Sequence, residues 1–212
     1  MSLNALLSDW EAHIRGAVSP LSDGVAPLEV KGPGTLIRPG RRPSRTAAVL
    51  VPVLRGDCPS IILTVRADDL PQHAGQVSFP GGRADEADHS AVETALREAR
   101  EEIGLPEHVV TPLGFLDRFD VISDYRVLPI VGLIDGPVKF SLDPREVSDV
   151  FAVPIEVALD RKRYEAKAVK RNGVRYTLYS LEWEGRLIWG ATAAMLMNFA
   201  GRVEHRLRGR IA

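Results

Sequence analysis

Three carboxylates stand close together near the middle of the chain, in the run AVETALREAREEIGL: Glu98, Glu101 and Glu102. On a helix turning about 100° per residue, positions i, i+3 and i+4 fall within roughly 100° of the surface. Like charges that close repel one another. A helix keeps such a cluster when it is fully solvated, or when a cation sits among the carboxylates. Oxygen ligands suit Mg²⁺ or Mn²⁺, which bind phosphate substrates through a few carboxylates plus waters. Glu98 and Glu102, one turn apart, are the expected direct metal ligands. Glu101 shares the metal or binds it through water. Arg97 lies four residues before Glu101, a natural ion-pair spacing, and is expected to orient the glutamates from behind. The Gly81-Gly82 pair ahead of the run lets backbone approach a ligand closely. The pattern points to a divalent-metal site serving a phosphate-containing substrate.

The elements that must position this site can be read from periodicity. Val92, Ala95, Leu96, Ala99 and Ile103 form an apolar stripe beside the carboxylates, so a helix is predicted over 90–103. Gly104 stops it and Pro106 cannot continue it. Upstream, residues 47–54 and 60–67 are apolar and β-branched and read as a hairpin around Gly56-Asp57. QVSFPGG is a short strand ending at the glycines. Strands follow over 109–122 and 125–134, where Pro129 suggests an edge or a bulge. After them come a helical turn, a short strand over 150–153 and a short helix after Pro154. Strands over 163–181 and 183–189 are joined at Asn172-Gly173 and Glu184-Gly185. Helical spacing marks 3–17 and 191–208. Between the first helix and the core, residues 19–44 are rich in Pro and Gly and read as an irregular arm, with basic residues at Arg38, Arg41, Arg42 and Arg45. One domain is expected over 1–212, divided into helix and arm (1–45), core (46–190) and C-terminal helix (191–212). The interspersed strands and helices predict an α/β fold, a mixed sheet with helices on both faces.

Composition bounds the alternatives. The chain has 212 residues, 45% hydrophobic and 26% charged, with a formal net charge of -1. No global basic field suggests nucleic acid. No window nears the roughly 18 apolar residues of a membrane span. Cys58 is the single cysteine, which excludes an internal disulfide and a Cys-pair zinc site. The N-terminus lacks the cationic start and apolar run of a signal peptide. A cytoplasmic location is expected, with a small-molecule partner rather than nucleic acid or membrane.

The segment 97–105, REAREEIGL, resembles the second half of the box of the Nudix hydrolases, G-x5-E-x7-R-E-U-x-E-E-x-G-U, where U is bulky and apolar. Arg97, Glu98, Glu101, Glu102, Gly104 and Leu105 occupy matching places. Gly82 and Arg97 are separated by fourteen residues, one more than in the pattern, so its first glutamate falls on Asp88 counted forward and on His89 counted back. Residues 62–82, ILTVRADDLPQHAGQVSFPGG, are similar to the signature of coenzyme A pyrophosphatases, L-L-T-x-R-[SA]-x3-R-x3-G-x3-F-P-G-G. Pro71 stands where that signature has a second arginine.

The resemblance implies a Nudix α/β/α sandwich with helical extensions at both termini. It implies a metal-dependent hydrolase, using Mg²⁺ or Mn²⁺, that cuts coenzyme A or its derivatives at the diphosphate into 3',5'-ADP and 4'-phosphopantetheine. Another nucleoside diphosphate derivative, such as NADH or ADP-ribose, is the alternative substrate. A Nudix domain that binds ligand without turnover is the alternative of another class. Arg66 is expected to face substrate phosphates. Gln76, with Gln72 and His73 around the Gly75 turn, is expected to hydrogen-bond substrate, and Gly81 and Gly82 to approach it. Some Nudix enzymes bring a distant loop glutamate to the metals as general base, which makes Glu146 the candidate base beside Glu101, with Asp85, Asp88 and Asp120 as weaker alternatives. Trp183 and Trp189, with the last helix, are expected to pack a core or an oligomer face, which admits a homodimer. Phe79 is expected in the core.

Overall fold

The structure, a computed structural model, describes residues 9–22, 35–36, 45–121, 124–171 and 174–209. Helix α1 (Trp10–Ala17) is followed by the short strand β1 (Thr35–Leu36), the hairpin of β2 (Arg45–Leu54) and β3 (Ser60–Arg66), and the short strands β4 (Val77–Ser78) and β5 (Gly81–Arg83). Helix α2 (Ala91–Ile103) carries the glutamates. It leads to β6 (Val110–Phe115), β7 (Phe119–Asp120), β8 (Tyr125–Ile134), β9 (Val147–Pro154) and the one-turn helix α3 (Ile155–Ala158). Strands β10 (Glu165–Arg171), β11 (Val174–Trp183) and β12 (Arg186–Trp189) precede the long helix α4 (Gly190–Gly209).

β2 is the axis of a mixed sheet. It runs parallel to β8 along its whole length, from Arg45↔Tyr125 to Leu54↔Ile134. It is antiparallel to β3 and to β5. β3 pairs antiparallel with β9 and β4, and β8 with β6 and β7. Alternation along these strands sends side chains to opposite faces. Ala48, Leu50, Ile62, Leu128 and Ile130 meet the apolar stripe of α2: Ala91, Val92, Ala95, Ala99 and Ile103. Val51, Val53, Ile61, Leu63, Val131 and Leu133 meet Ile14 and Ala17 of α1 and Leu196, Phe199 and Val203 of α4. Each large apolar side chain buried this way contributes about 1.5–3 kcal/mol. The sheet is therefore sandwiched between the carboxylate helix on one side and the two terminal helices on the other, and the expected α/β/α architecture holds.

Several elements differ from expectation. The strand predicted over 109–122 breaks into β6 and β7. β8 is an interior strand, although Pro129 suggested an edge. Phe115 pairs with Ile130 and Phe119 with Val127, so the proline sits opposite the gap between β6 and β7, where its missing N–H costs little. The bulge lies in the partner strand, between Pro112 and Gly114. β9 begins at Val147, three residues earlier than predicted, because pairing with β3 extends it. The last three strands form a separate antiparallel sheet, β10-β11-β12. The arm predicted as irregular contributes β1, which pairs parallel to β7. The rest of that arm (23–34 and 37–44), with Arg38, Arg41 and Arg42, lies outside the described residues, as do residues 3–8 and the Asn172-Gly173 turn.

Candidate functional site

Both ends of α2 are fixed locally. Ser90 is the N-cap, its hydroxyl accepting from the Glu93 N–H at 3.2 Å, and the Glu93 carboxylate accepts from the His89 N–H at 2.8 Å. At the other end Gly104 adopts φ 66, the left-handed conformation glycine favours, and its N–H donates to the Arg100 carbonyl at 3.0 Å. With its apolar stripe set on the sheet, the helix turns Glu102 and Glu98 toward the Gly81-Gly82 turn and leaves Glu101 facing outward.

Glu102 is the buried member, with 3% of its side chain exposed. It accepts from the Gly81 N–H at 3.0 Å, and Arg66 Nη1 stands 3.9 Å from its other oxygen. Burial pushes its carboxyl up to about 8, and the negative charges of Glu98 and Glu146 add to the effect against Gly81 and Arg66. Glu98 is 15% exposed, and burial raises its pKa as well, opposed by Arg97. Gly82 lies against it: a Cβ there would come 2.5 Å from a Glu98 carboxylate oxygen. Gly81, at φ +150, has no room either, since a Cβ would meet the Ala48 carbonyl at 2.5 Å. The glycine pair is thus required by the close approach of β5 to both β2 and α2.

Arg66 ends β3 at this point. Its Nε is buried and has no hydrogen-bond partner among the described residues. The next residue, Ala67, donates its N–H to the Glu146 carbonyl at 2.9 Å, which brings Glu146 beside the centre with an exposed side chain. Its charge reaches both Glu98 and Glu102. Gln76 also borders Arg66: its carbonyl accepts from the Arg66 N–H at 3.0 Å, while its side-chain oxygen bonds His73 Nδ1 at 2.9 Å. His73 adopts φ 60 in that tight loop. Phe79 is buried, in the core as expected.

Arg97 is a clamp. Its Nε and Nη2 donate to the two oxygens of Asp88 at 3.1 and 3.0 Å. Its Nη1 lies 3.0 Å from both Glu98 and Glu101. Its Nη2 also donates to the Arg83 carbonyl at 3.0 Å, tying the helix to β5. Asp88 also accepts from the Thr94 hydroxyl at 2.9 Å. The Arg97 guanidinium holds its carboxyl well below the usual range, at about 2. The structure thus brings together Glu98, Glu102, Arg66, Gly81, Gly82 and Glu146, keeps Glu101 outside on Arg97, and leaves Gln76 on the neighbouring loop. Asp120, on β7, pairs with Arg126 of β8. The one group undervalued from sequence is Asp88, weighed equally with His89. Only a carboxylate accepts a bidentate arginine, and that chemistry could have separated them.

Comparison with known proteins decides the family. The Nudix domain model matches residues 44–175. The chain is 42% identical over 160 residues to the uncharacterized Nudix hydrolase NudL of Yersinia pestis (strain Pestoides F), covering 76% of this chain and 80% of that protein. This chain belongs to the Nudix family. NudL of Yersinia pseudotuberculosis serotype O:3 (strain YPIII) matches equally, at 42% over 160 residues, with the same 76% and 80% coverage. Among solved structures, the MutT protein from Methanosarcina mazei Go1 aligns with a TM-score of 0.46 at 18% identity, covering 78% of this chain and 95% of that chain. A C. elegans Ap4A hydrolase binary complex aligns with a TM-score of 0.46 at 19% identity, covering 53% of this chain and 83% of that chain.

Nudix hydrolases work with divalent metal ions, and the residues here fit such an ion. The donors are all carboxylate oxygens, and two of them are desolvated beside one another, an arrangement that a cation relieves. Among the described residues no three acidic, histidine or cysteine side chains are already gathered as a metal cage. Mg²⁺ accepts a partial set of this kind, because it is commonly held by one or two carboxylates with waters and substrate phosphates completing its shell.

Proposed function

We propose that this Nudix hydrolase cleaves the diphosphate of coenzyme A or its derivatives, giving 3',5'-ADP and 4'-phosphopantetheine or its acyl form. The observation that carries the reading is Arg66. A guanidinium with an unpartnered, buried Nε stands beside the buried Glu102 at the end of the segment, 62–82, that resembles the coenzyme A pyrophosphatase signature. Such a donor suits a phosphate oxygen, and the carboxylates beside it suit the cation that accompanies phosphate.

In this reading Glu98 and Glu102 hold Mg²⁺ or Mn²⁺, and Glu101 shares it or reaches it through water. When bound, the ion offsets charge on the phosphoryl oxygens and lowers the pKa of a bound water. Arg97 holds Glu98 and Glu101 in place. Arg66 binds substrate phosphate, and Gly81 and Gly82 let the diphosphate lie against backbone. Glu146, exposed and beside the centre, takes the proton from the attacking water, with Glu101 as the other candidate. Water adds across one P–O–P linkage, and no covalent enzyme intermediate is needed. Gln76, on the loop leading from Arg66, hydrogen-bonds the rest of the substrate. One domain spanning 1–212, acting in the cytoplasm, completes the reading. A homodimer is its oligomeric form, supported by Leu187 and Trp189, which remain 56% and 39% exposed on β12.

Pro71 favours one second reading. It replaces the further arginine of the signature, and with it a cation for a substrate phosphate. NADH or ADP-ribose makes less demand on such a cation. Incubation with coenzyme A, an acyl-coenzyme A, NADH and ADP-ribose, each with Mg²⁺ and with Mn²⁺, separates the readings by product. Release of 3',5'-ADP at the highest kcat/KM supports the first. AMP from NADH or ADP-ribose, with no 3',5'-ADP, overturns it.

A further inference from the structure

We infer a second anion site, for a small phosphate-bearing ligand, on the face of the sheet opposite the carboxylate helix. A groove of about 540 Å³ opens between the end of α1, helix α4 and the turn after α3. Arg161, Arg202, His205 and Arg206 line it together with Gly16 and Gly201, and among the described residues no acidic side chain does. Guanidiniums gathered at one groove repel one another unless carboxylates or an anionic ligand offset them; Glu204 and Asp117 do so for Arg161 and Arg202 from beside the groove, and none does so for Arg206 among the described residues.

Two of the three are held in place. Arg202 donates to the Phe115 carbonyl at 3.2 Å and to the Ser19 hydroxyl at 2.9 Å. Asp117 lies 3.9 Å from it and is also bonded by the Asn198 amide. Arg161 donates to Glu204 at 3.0 Å, and Glu204 is shared with Arg208. Arg206 is the third, and its side chain makes no hydrogen bond or ion pair among the described residues. It lies across Gly16, where a Cβ would come 2.6 Å from its Nε. A cation near the C-terminal end of α1 is favoured by the helix dipole, but Arg206 bonds none of the carbonyls there. Its donors are left for a ligand in the groove that the two oriented guanidiniums of Arg161 and Arg202 also line. Planar guanidinium forks of this kind match phosphate oxygens. The site is independent of the proposed diphosphate hydrolysis, since α2 and Arg66 lie elsewhere.

The test titrates full-length protein, in metal-free buffer, with inorganic pyrophosphate and separately with 5'-AMP, while amide resonances are followed by NMR. The expected result is saturable shifts at Gly16, Val18 and Gly201, with a Kd at or below about 1 mM. Pyrophosphate alone shifting them assigns an inorganic anion, and 5'-AMP shifting them too assigns the phosphate of a nucleotide. Arg206→Glu is expected to weaken binding at least about tenfold, as expected for a lost charge-assisted bond. Gly16→Ala, which keeps a good helix former but displaces Arg206, is expected to weaken it as well. Both are expected to leave hydrolysis of coenzyme A within about twofold of wild type. Absence of shifts overturns the inference. So do shifts that survive Arg206→Glu unchanged, or that disappear in Arg66→Ala, which would place the anion in the catalytic centre.

Discussion

The Gly81 N–H donates to the Glu102 carboxylate at 3.0 Å, across 21 residues of sequence. That bond joins the glycine turn to the helix at the buried carboxylate, beside the tie from Arg97 to the Arg83 carbonyl. The two glycines of the turn nevertheless do different work, and substitution separates them. Gly81→Ala places a Cβ against the Ala48 carbonyl and the Val49 backbone, at 2.5 Å from each, with φ +150 unfavourable besides. It is expected to destabilise the fold by about 3 kcal/mol or more, read by thermal melting. Gly82→Ala meets only the end of the Glu98 side chain, at 2.5 Å. It is expected to leave the melting temperature nearly unchanged while lowering turnover at least about tenfold, because it moves a proposed ligand.

Glu102→Gln keeps shape and the acceptor for Gly81 but removes a buried carboxyl whose ionisation burial and Glu98 oppose. The metal-free protein is expected to be as stable as wild type or up to about 1 kcal/mol more stable. Turnover is expected to fall at least about a hundredfold. Denaturant melts and initial rates on one preparation check both; a marked loss of stability with activity retained would reverse the assignment.

The Asp88–Arg97 pair makes a prediction about acid. The Asp88 carboxyl is held at about 2, against 3.8 in an unfolded chain. A carboxylate with a lowered folded pKa contributes stability above the unfolded value and loses it as pH falls toward the folded one. About 2 kcal/mol is expected to vanish between pH 4 and pH 2 in the wild type. Asp88→Asn is expected to be less stable at pH 7 and to show a flatter acid limb, which urea melts across that range measure.

Arg66→Lys keeps a positive charge but gives up the Nε donor and the planar fork. KM for coenzyme A is expected to rise about tenfold with kcat changed less than threefold, the pattern of a group that binds substrate and transition state alike. An unchanged KM would remove Arg66 from the phosphate site.

Much of this was legible in the sequence for identifiable reasons. The stripe Val92–Ala95–Ala99–Ile103 and the stop at Gly104 set α2, and the apolar runs set β2, β3 and β8, because burial and capping act through local residue types. Long-range pairing was not legible. Pro129 reads as an edge residue until β6 and β7 are seen to break opposite it. The separation of β10-β11-β12 into a second sheet depends on which edges are already occupied. In the site, the spacing of Glu98, Glu101 and Glu102 gave the cluster, but only packing divides it into a buried Glu102, a half-buried Glu98 and an outward Glu101 bound to Arg97. Asp88 could not be placed by counting because the chain carries one extra residue before the helix. The bidentate geometry of Arg97 places it.

A divalent ion held by the helix carboxylates and serving diphosphate hydrolysis would show in initial rates on coenzyme A against Mg²⁺ and Mn²⁺ concentration, in the wild type and in Glu98→Gln. No turnover is expected in chelator, with saturable activation by either metal and a loss of at least about a hundredfold in Glu98→Gln that added metal does not restore. Turnover that persists in chelator, or near-normal rates in Glu98→Gln, would contradict that role of the ion.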